Sequence, residues 1–85
     1  MASYRLRFKR SAAKEFEDLP AKVRRRIATR TGALVDDPRP HGCEKLSGEE
    51  KYRLRQGDFR IVYGIDDEQS LVTVFKIARR RDVYR

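Results

Sequence analysis

The chain has 85 residues, with 21 Lys and Arg against 13 Asp and Glu for a net charge of +8, and a single Cys and a single His. That length suits one small domain over 1–85 with one core. The lone Cys43 excludes an internal disulfide or a cysteine-rich zinc site, and the lone His41 excludes a two-histidine metal site or a catalytic histidine pair. No apolar run approaches the ~20 residues of a membrane span and nothing resembles a secretory signal, so a reduced, cytoplasmic protein is expected, with no membrane partner.

Tyr4 to Phe8 alternates polar and apolar residues, the period-two pattern of a half-buried strand. Ser11 is expected to cap the helix that follows, with Glu15 and Glu17 early, where the helix dipole favours acids. Ala12, Phe16 and Leu19 form its apolar stripe, and Asp18-Leu19-Pro20 ends it. Pro20 suits the start of a second helix, in which Val23, Ile27, Leu34 and Val35 recur at helical spacing. That helix should stop near Asp36-Asp37-Pro38. Residues 37–50, rich in Pro, Gly and Asp, read as loop, with Leu46 as an anchor on the core.

Lys51 to Arg55 alternates strictly, Gln56-Gly57-Asp58 turns the chain, and Phe59 to Ile65 forms the next strand. There Phe59, Ile61, Tyr63 and Ile65 share one face, and Arg60 and Val62 the other, which is expected to be exposed. After a turn at Asp66 to Ser70, Leu71 to Ala78 is apolar on both faces, as in a central strand. The fold class is therefore α+β: a strand, a two-helix hairpin, then three antiparallel strands, with the helices on one face of a twisted sheet.

The positive charge is not confined to a tail. Residues 1–50 hold twelve cations and eight acids, and residues 51–85 nine and five. It gathers at Arg24-Arg25-Arg26, at Lys51/Arg53/Arg55/Arg60, and at Arg79-Arg80-Arg81 with Arg85. Such a balance favours polyanions, of which nucleic acid is the commonest; solubility alone is the plainer account. Lys51, Arg53 and Arg55 point the same way at about 7 Å spacing, and a short hairpin brings Arg60 across from them. These cations either bridge a phosphate or form a solvated face neutralised by Glu49, Glu50 or Asp58. Tyr84 stands among guanidinium groups, which stabilise tyrosinate and lower a tyrosine pKa from about 10. It is a general base, a stacking platform for a nucleobase, or part of a frayed tail. Glu44 and Glu49 are weak base candidates. With His41 isolated and Cys43 without a partner, any chemistry would run on Lys, Arg and Tyr, with no metal and no cofactor.

Taken together, KEFEDLPAKVRRRI, KLSGEEKYRLRQGDFRIVYGI and FKIARRRDVYR resemble the RelE/ParE superfamily of toxin–antitoxin toxins over nearly the whole chain. The resemblance implies a helical hairpin on a twisted antiparallel sheet and one of two activities. RelE-type members cut mRNA in the ribosomal A site, and ParE-type members poison DNA gyrase. Carried over residue by residue, the RelE-type site falls on Lys51 and Arg53 of the second strand, Arg60 of the third, Arg79 (with Arg80 or Arg81 as alternatives) and Tyr84. Arg55, Arg80, Arg81 and Arg85 are expected to bind RNA. Arg53 stands where lysine is usual in the best-known member and cannot give up its proton as readily, and no histidine lies near Tyr84. The implied partners are the ribosome, mRNA and a small, acidic, partly disordered cognate antitoxin, and the complex with that antitoxin could also take operator DNA.

Overall fold

The computed structural model describes residues 3–46 and 50–79. In chain order the elements are β1 (Arg5–Phe8), α1 (Arg10–Glu17), α2 (Ala21–Ala33), β2 (Glu44–Lys45), β3 (Lys51–Gln56), β4 (Phe59–Asp66) and β5 (Leu71–Arg79). The five strands form one sheet in the order β1-β5-β4-β3-β2.

The α+β class holds, with two differences from the expected sheet. β1 runs parallel to β5, with Arg5 opposite Leu71 and Phe8 opposite Val74, so the sheet is mixed. The supposed loop also contributes the two-residue edge strand β2, which pairs Glu44 with Arg53. Gly57, with φ +60°, sits at the first position of the β3–β4 turn, where a type II′ hairpin requires a residue free of Cβ strain.

The helix boundaries follow the backbone more than the expected caps. α1 begins at Arg10 behind Lys9, with no side-chain cap and no acid in its first turn, so Ser11 lies inside the helix. Glu15 serves the sheet instead. β1 ends opposite Val74, and beyond it the free edge of β5 presents the Ile77 N–H, which donates to Glu15 Oε1 at 2.9 Å. Lys76 Nζ also reaches Glu15, at 3.4 Å. Between the helices, Arg24 Nη1 donates to the carbonyls of Glu17 and Leu19, at 3.3 and 3.2 Å, and so closes the hairpin.

One face of the sheet makes the core with the helices. Leu54, Ile61, Tyr63, Val72, Val74 and Ile77 pack with Ala12, Ile27 and Leu34. Cys43 packs against this cluster from the loop, and Leu46 is half-buried with its N–H donating to Lys51 O at 2.8 Å. At the far end, Arg39 clasps the loop to the sheet. Its guanidinium donates to Asp67 at 2.9 and 3.3 Å and to the Tyr52 hydroxyl at 3.0 Å. Tyr4 donates to the same Asp67 at 2.7 Å, and the buried Tyr63 hydroxyl donates to Pro38 O at 2.7 Å. The Arg39 and Tyr4 bonds hold the Asp67 carboxyl below its usual range, and burial drives the Tyr63 phenol well above its own.

Candidate nucleic-acid interface

The opposite face of the sheet carries the basic residues. The β3–β4 register sets Lys51 across from Gly64, Arg53 across from Val62 and Arg55 across from Arg60, so all four cations share one face. Their environments differ. Arg55 is exposed, Lys51 and Arg53 are half-buried, and Arg60 is only 1% exposed. The expectation of an exposed Arg60 is therefore corrected. β4 is the middle strand of five, so Arg60 has Arg55 beside it on β3 and Ala78 beside it on β5. Val62, on the same face of the same strand, is only half-buried, so alternation along the strand does not predict the burial of Arg60.

Glu44 is the counter-ion of this face. Arg53 donates to its Oε1 through both Nε, at 3.2 Å, and Nη2, at 2.9 Å. The Arg53 hydrogen bond is the main reason the Glu44 carboxyl lies below its ordinary range, and the charges of Arg53, Arg55 and Arg60 pull the same way. A carboxylate held this firmly in its charged form is a weak base, so the geometry argues against Glu44 as a proton acceptor. It makes Glu44 the anion that Arg53 already holds on this face. Of the acids expected to neutralise this face, Glu50 pairs with Lys45 at 3.4 Å and Glu49 lies outside the described residues.

A test follows directly. A depressed carboxyl stays charged until the pH falls through its lowered pKa, so near neutrality Glu44 opposes an incoming anion at full charge. Glu44→Gln should bind a single-stranded RNA more tightly than the natural chain at pH 7. The natural chain should gain affinity on acidification, and the variant should not. Fluorescence anisotropy between about pH 3 and 7 reads both effects, with the gain confined to the acid end, below the ordinary carboxylate range; equal affinities of the two proteins throughout would mean that Glu44 does not screen the face.

At the other end of the face, Lys51 Nζ lies 4.7 Å from the centre of the Phe75 ring. Phe75 can lie there because Gly64 has no side chain: a Cβ at Gly64 would fall 2.7 Å from the ring. Lys51, Gly64 and Phe75 line part of an open hollow of about 310 Å³ together with Thr73 and Asp66.

The sheet does not bring Arg79 to this face. A bulge at Val62/Tyr63 moves the β4–β5 register by one residue, so Tyr63 pairs with Val74 but Val62 pairs with Lys76. Beyond the bulge the alternation of β5 is inverted. Ala78 stands across from Arg60, and Arg79 stands across from Phe59, with its guanidinium carbon 5.2 Å from that ring on the helix side. Arg80, Arg81, Tyr84 and Arg85 lie outside the described residues. The sequence reading also passed over Arg30, which joins Lys22, Arg25 and Arg26 around a hollow on α2; cations at i, i+3, i+4 and i+8 were the available signal.

A family model described as the ParE toxin of the type II toxin–antitoxin system parDE matches residues 6–84. A putative RelE-like toxin protein of Escherichia coli is 31% identical over 95% of this chain and 90% of its own length. The toxin RelE of Mycobacterium tuberculosis is 32% identical over 96% of this chain and 87% of its own. An archaeal RelE–RelB complex from Pyrococcus horikoshii contains a chain that superposes with a TM-score of 0.83 at 26% identity, covering 92% of this chain and 96% of that one. The chain belongs to the RelE/ParE superfamily of type II toxin–antitoxin toxins and lies close to RelE.

Proposed function

We propose that this toxin is a ribosome-dependent mRNA endoribonuclease. The observation that carries the reading is the gathering of Lys51, Arg53, Arg55 and Arg60 on one face of the sheet, with Arg53 already bonded to a carboxylate there, in a chain close to RelE. The same cluster suits a phosphate. In the proposed reaction the ribose 2′-oxygen attacks the adjacent phosphorus. The bond from phosphorus to the 5′-oxygen breaks, leaving a 2′,3′-cyclic phosphate and a 5′-hydroxyl. Lys51, Arg53 and Arg60 hold the phosphate and offset the charge that builds in the pentacovalent transition state. Tyr84 takes the 2′-OH proton and stacks on a base. With Arg79 turned to the helix side, Arg80 or Arg81 supplies the C-terminal cation that steadies the departing oxygen, which takes up a proton as it leaves. No metal ion enters this scheme. Arginines are weak proton carriers, so positioning of the mRNA by the ribosome supplies much of the rate.

The proposal includes a cognate antitoxin, acidic and partly disordered, that folds onto the toxin. The surface that suits its apolar residues is a hollow of about 390 Å³ between β1, α1 and α2, lined by Leu6, Phe8, Ala13 and Phe16. Operator DNA bound by that complex is part of the same reading.

A second reading is favoured by the matched family model, that of ParE: a gyrase inhibitor that acts by binding alone. Mapping mRNA 5′ ends after brief induction separates the two. Fresh 5′ ends within translated reading frames, lost when ribosomes are withheld from the message, are expected. Intact mRNA with an early DNA-damage response would establish the gyrase reading instead.

A further inference from the structure

α2 carries more charge than its packing explains. Arg24 is used by the helical hairpin, but Lys22, Arg25, Arg26 and Arg30 surround a hollow of about 500 Å³ completed by Thr29 and Gln56. No carboxylate among the described residues lines it. Arg30 is half-buried: its Nε is shielded from water with no hydrogen-bond partner among the described residues, and its Nη2 makes only a long contact of 3.4 Å to Arg55 O. A guanidinium N–H shielded from water without an acceptor is costly, and an anion in the hollow could accept from it and offset that cost.

We propose that this groove is a second RNA-backbone site, separate from the sheet face that takes the strand to be cut. The inference rests on the reading of the protein as one that acts on RNA, and it adds a contact made by the helix. From Lys22 to Arg30 the helix rises about 12 Å, enough to meet more than one phosphate of a single strand. Every lining residue is polar or charged, and the apolar surface of the groove comes from the stems of its Lys and Arg side chains; the apolar side chains that would seat an amphipathic antitoxin helix lie instead between β1 and the helices. The Arg30 contact to the Arg55 carbonyl ties the groove to the end of β3, so the two RNA contacts lie on opposite sides of one strand end.

The test compares two triple variants with the same loss of charge. Lys22→Gln/Arg25→Gln/Arg26→Gln alters the groove, and Lys9→Gln/Arg10→Gln/Lys14→Gln removes three exposed cations at α1, away from both the groove and the basic sheet face. Binding of a synthetic 20-base-pair RNA duplex is measured across salt, with circular dichroism confirming the fold. The groove triple should lose about tenfold in affinity near 0.1 M salt, and its log–log salt slope should fall by about two to three. The control triple should lose much less. Equal losses in the two triples would reduce the groove to net charge and overturn the proposal. So would a loss confined to a DNA duplex of the same sequence or to an acidic antitoxin peptide. If the natural chain cuts no mRNA on programmed ribosomes, the nuclease reading fails, while the duplex comparison still decides whether the groove binds RNA.

Discussion

Arg60→Ala should abolish mRNA cleavage and also lower stability, because the side chain it removes is almost wholly buried. Two effects combine. Loss of one donor that stabilises a developing oxyanion costs roughly 10²–10³ in rate. Emptying the space of a large side chain between β3 and β5, aliphatic stem included, costs about 2–4 kcal/mol. Arg60→Lys separates the two: it keeps a charge and most of the stem but loses the planar fork. It should retain most of the stability and still cleave poorly. Phe59→Ala, one residue away on the core face, should lose stability without a matching loss of cleavage by the fraction that remains folded. Urea denaturation and single-turnover cleavage on programmed ribosomes measure the two quantities independently. An Arg60→Lys variant with full cleavage would show that charge alone matters at this position, and a folded Arg60→Ala variant with full cleavage would remove Arg60 from the site.

Tyr84 has the widest range of expected effects. As a general base its hydroxyl is essential, so Tyr84→Phe should lose on the order of 10²–10⁴ in rate. As a stacking platform the ring face suffices, and Phe would be tolerated while Ala would cost about 1–3 kcal/mol. The proposed dual role predicts that Phe loses most of the activity and Ala slightly more. The rate with Tyr84 should also rise with pH toward the tyrosine range near 10, and this limb should be absent in Tyr84→Phe. Single-turnover cleavage by the three proteins across pH measures both; equal rates would leave the ring without a role in the reaction.

The strands of the meander were legible because each carries its own pattern. Lys51 to Arg55 alternates, Gly57 marks the turn, and Phe59, Ile61, Tyr63 and Ile65 of β4 fall on one parity. The helices were legible through Pro20 and the spacing of Ile27 and Leu34. What escaped depends on partners distant in sequence. β1 alternates as it would beside any neighbour, so its parallel pairing with β5 leaves no local mark. β2 is too short for a pattern. Glu15 sits in a helix but answers an N–H of β5, and Arg60 alternates outward yet is buried, which alternation alone does not disclose. The case of Arg79 is the most instructive. Simple alternation puts it with Thr73 on the basic face, and one extra residue at Phe75 inverts that parity. The inversion has a trace in the sequence: the core residues run Val72, Val74 and then Ile77, a step of three where two would keep the register.

The pairing of β1 with β5 also bears on when the toxin becomes dangerous to the cell that makes it. β5 is the last strand among the described residues, and both β1 and β4 close upon it. A growing chain halted before Leu71 would leave Leu6 and Phe8 without their strand partner and the core without Val72, Val74 and Ile77. Closure between segments so far apart along the chain is slow as well as late. The basic strands β3 and β4 emerge earlier but have no finished scaffold to hold them, so premature termination and partial synthesis should yield harmless fragments.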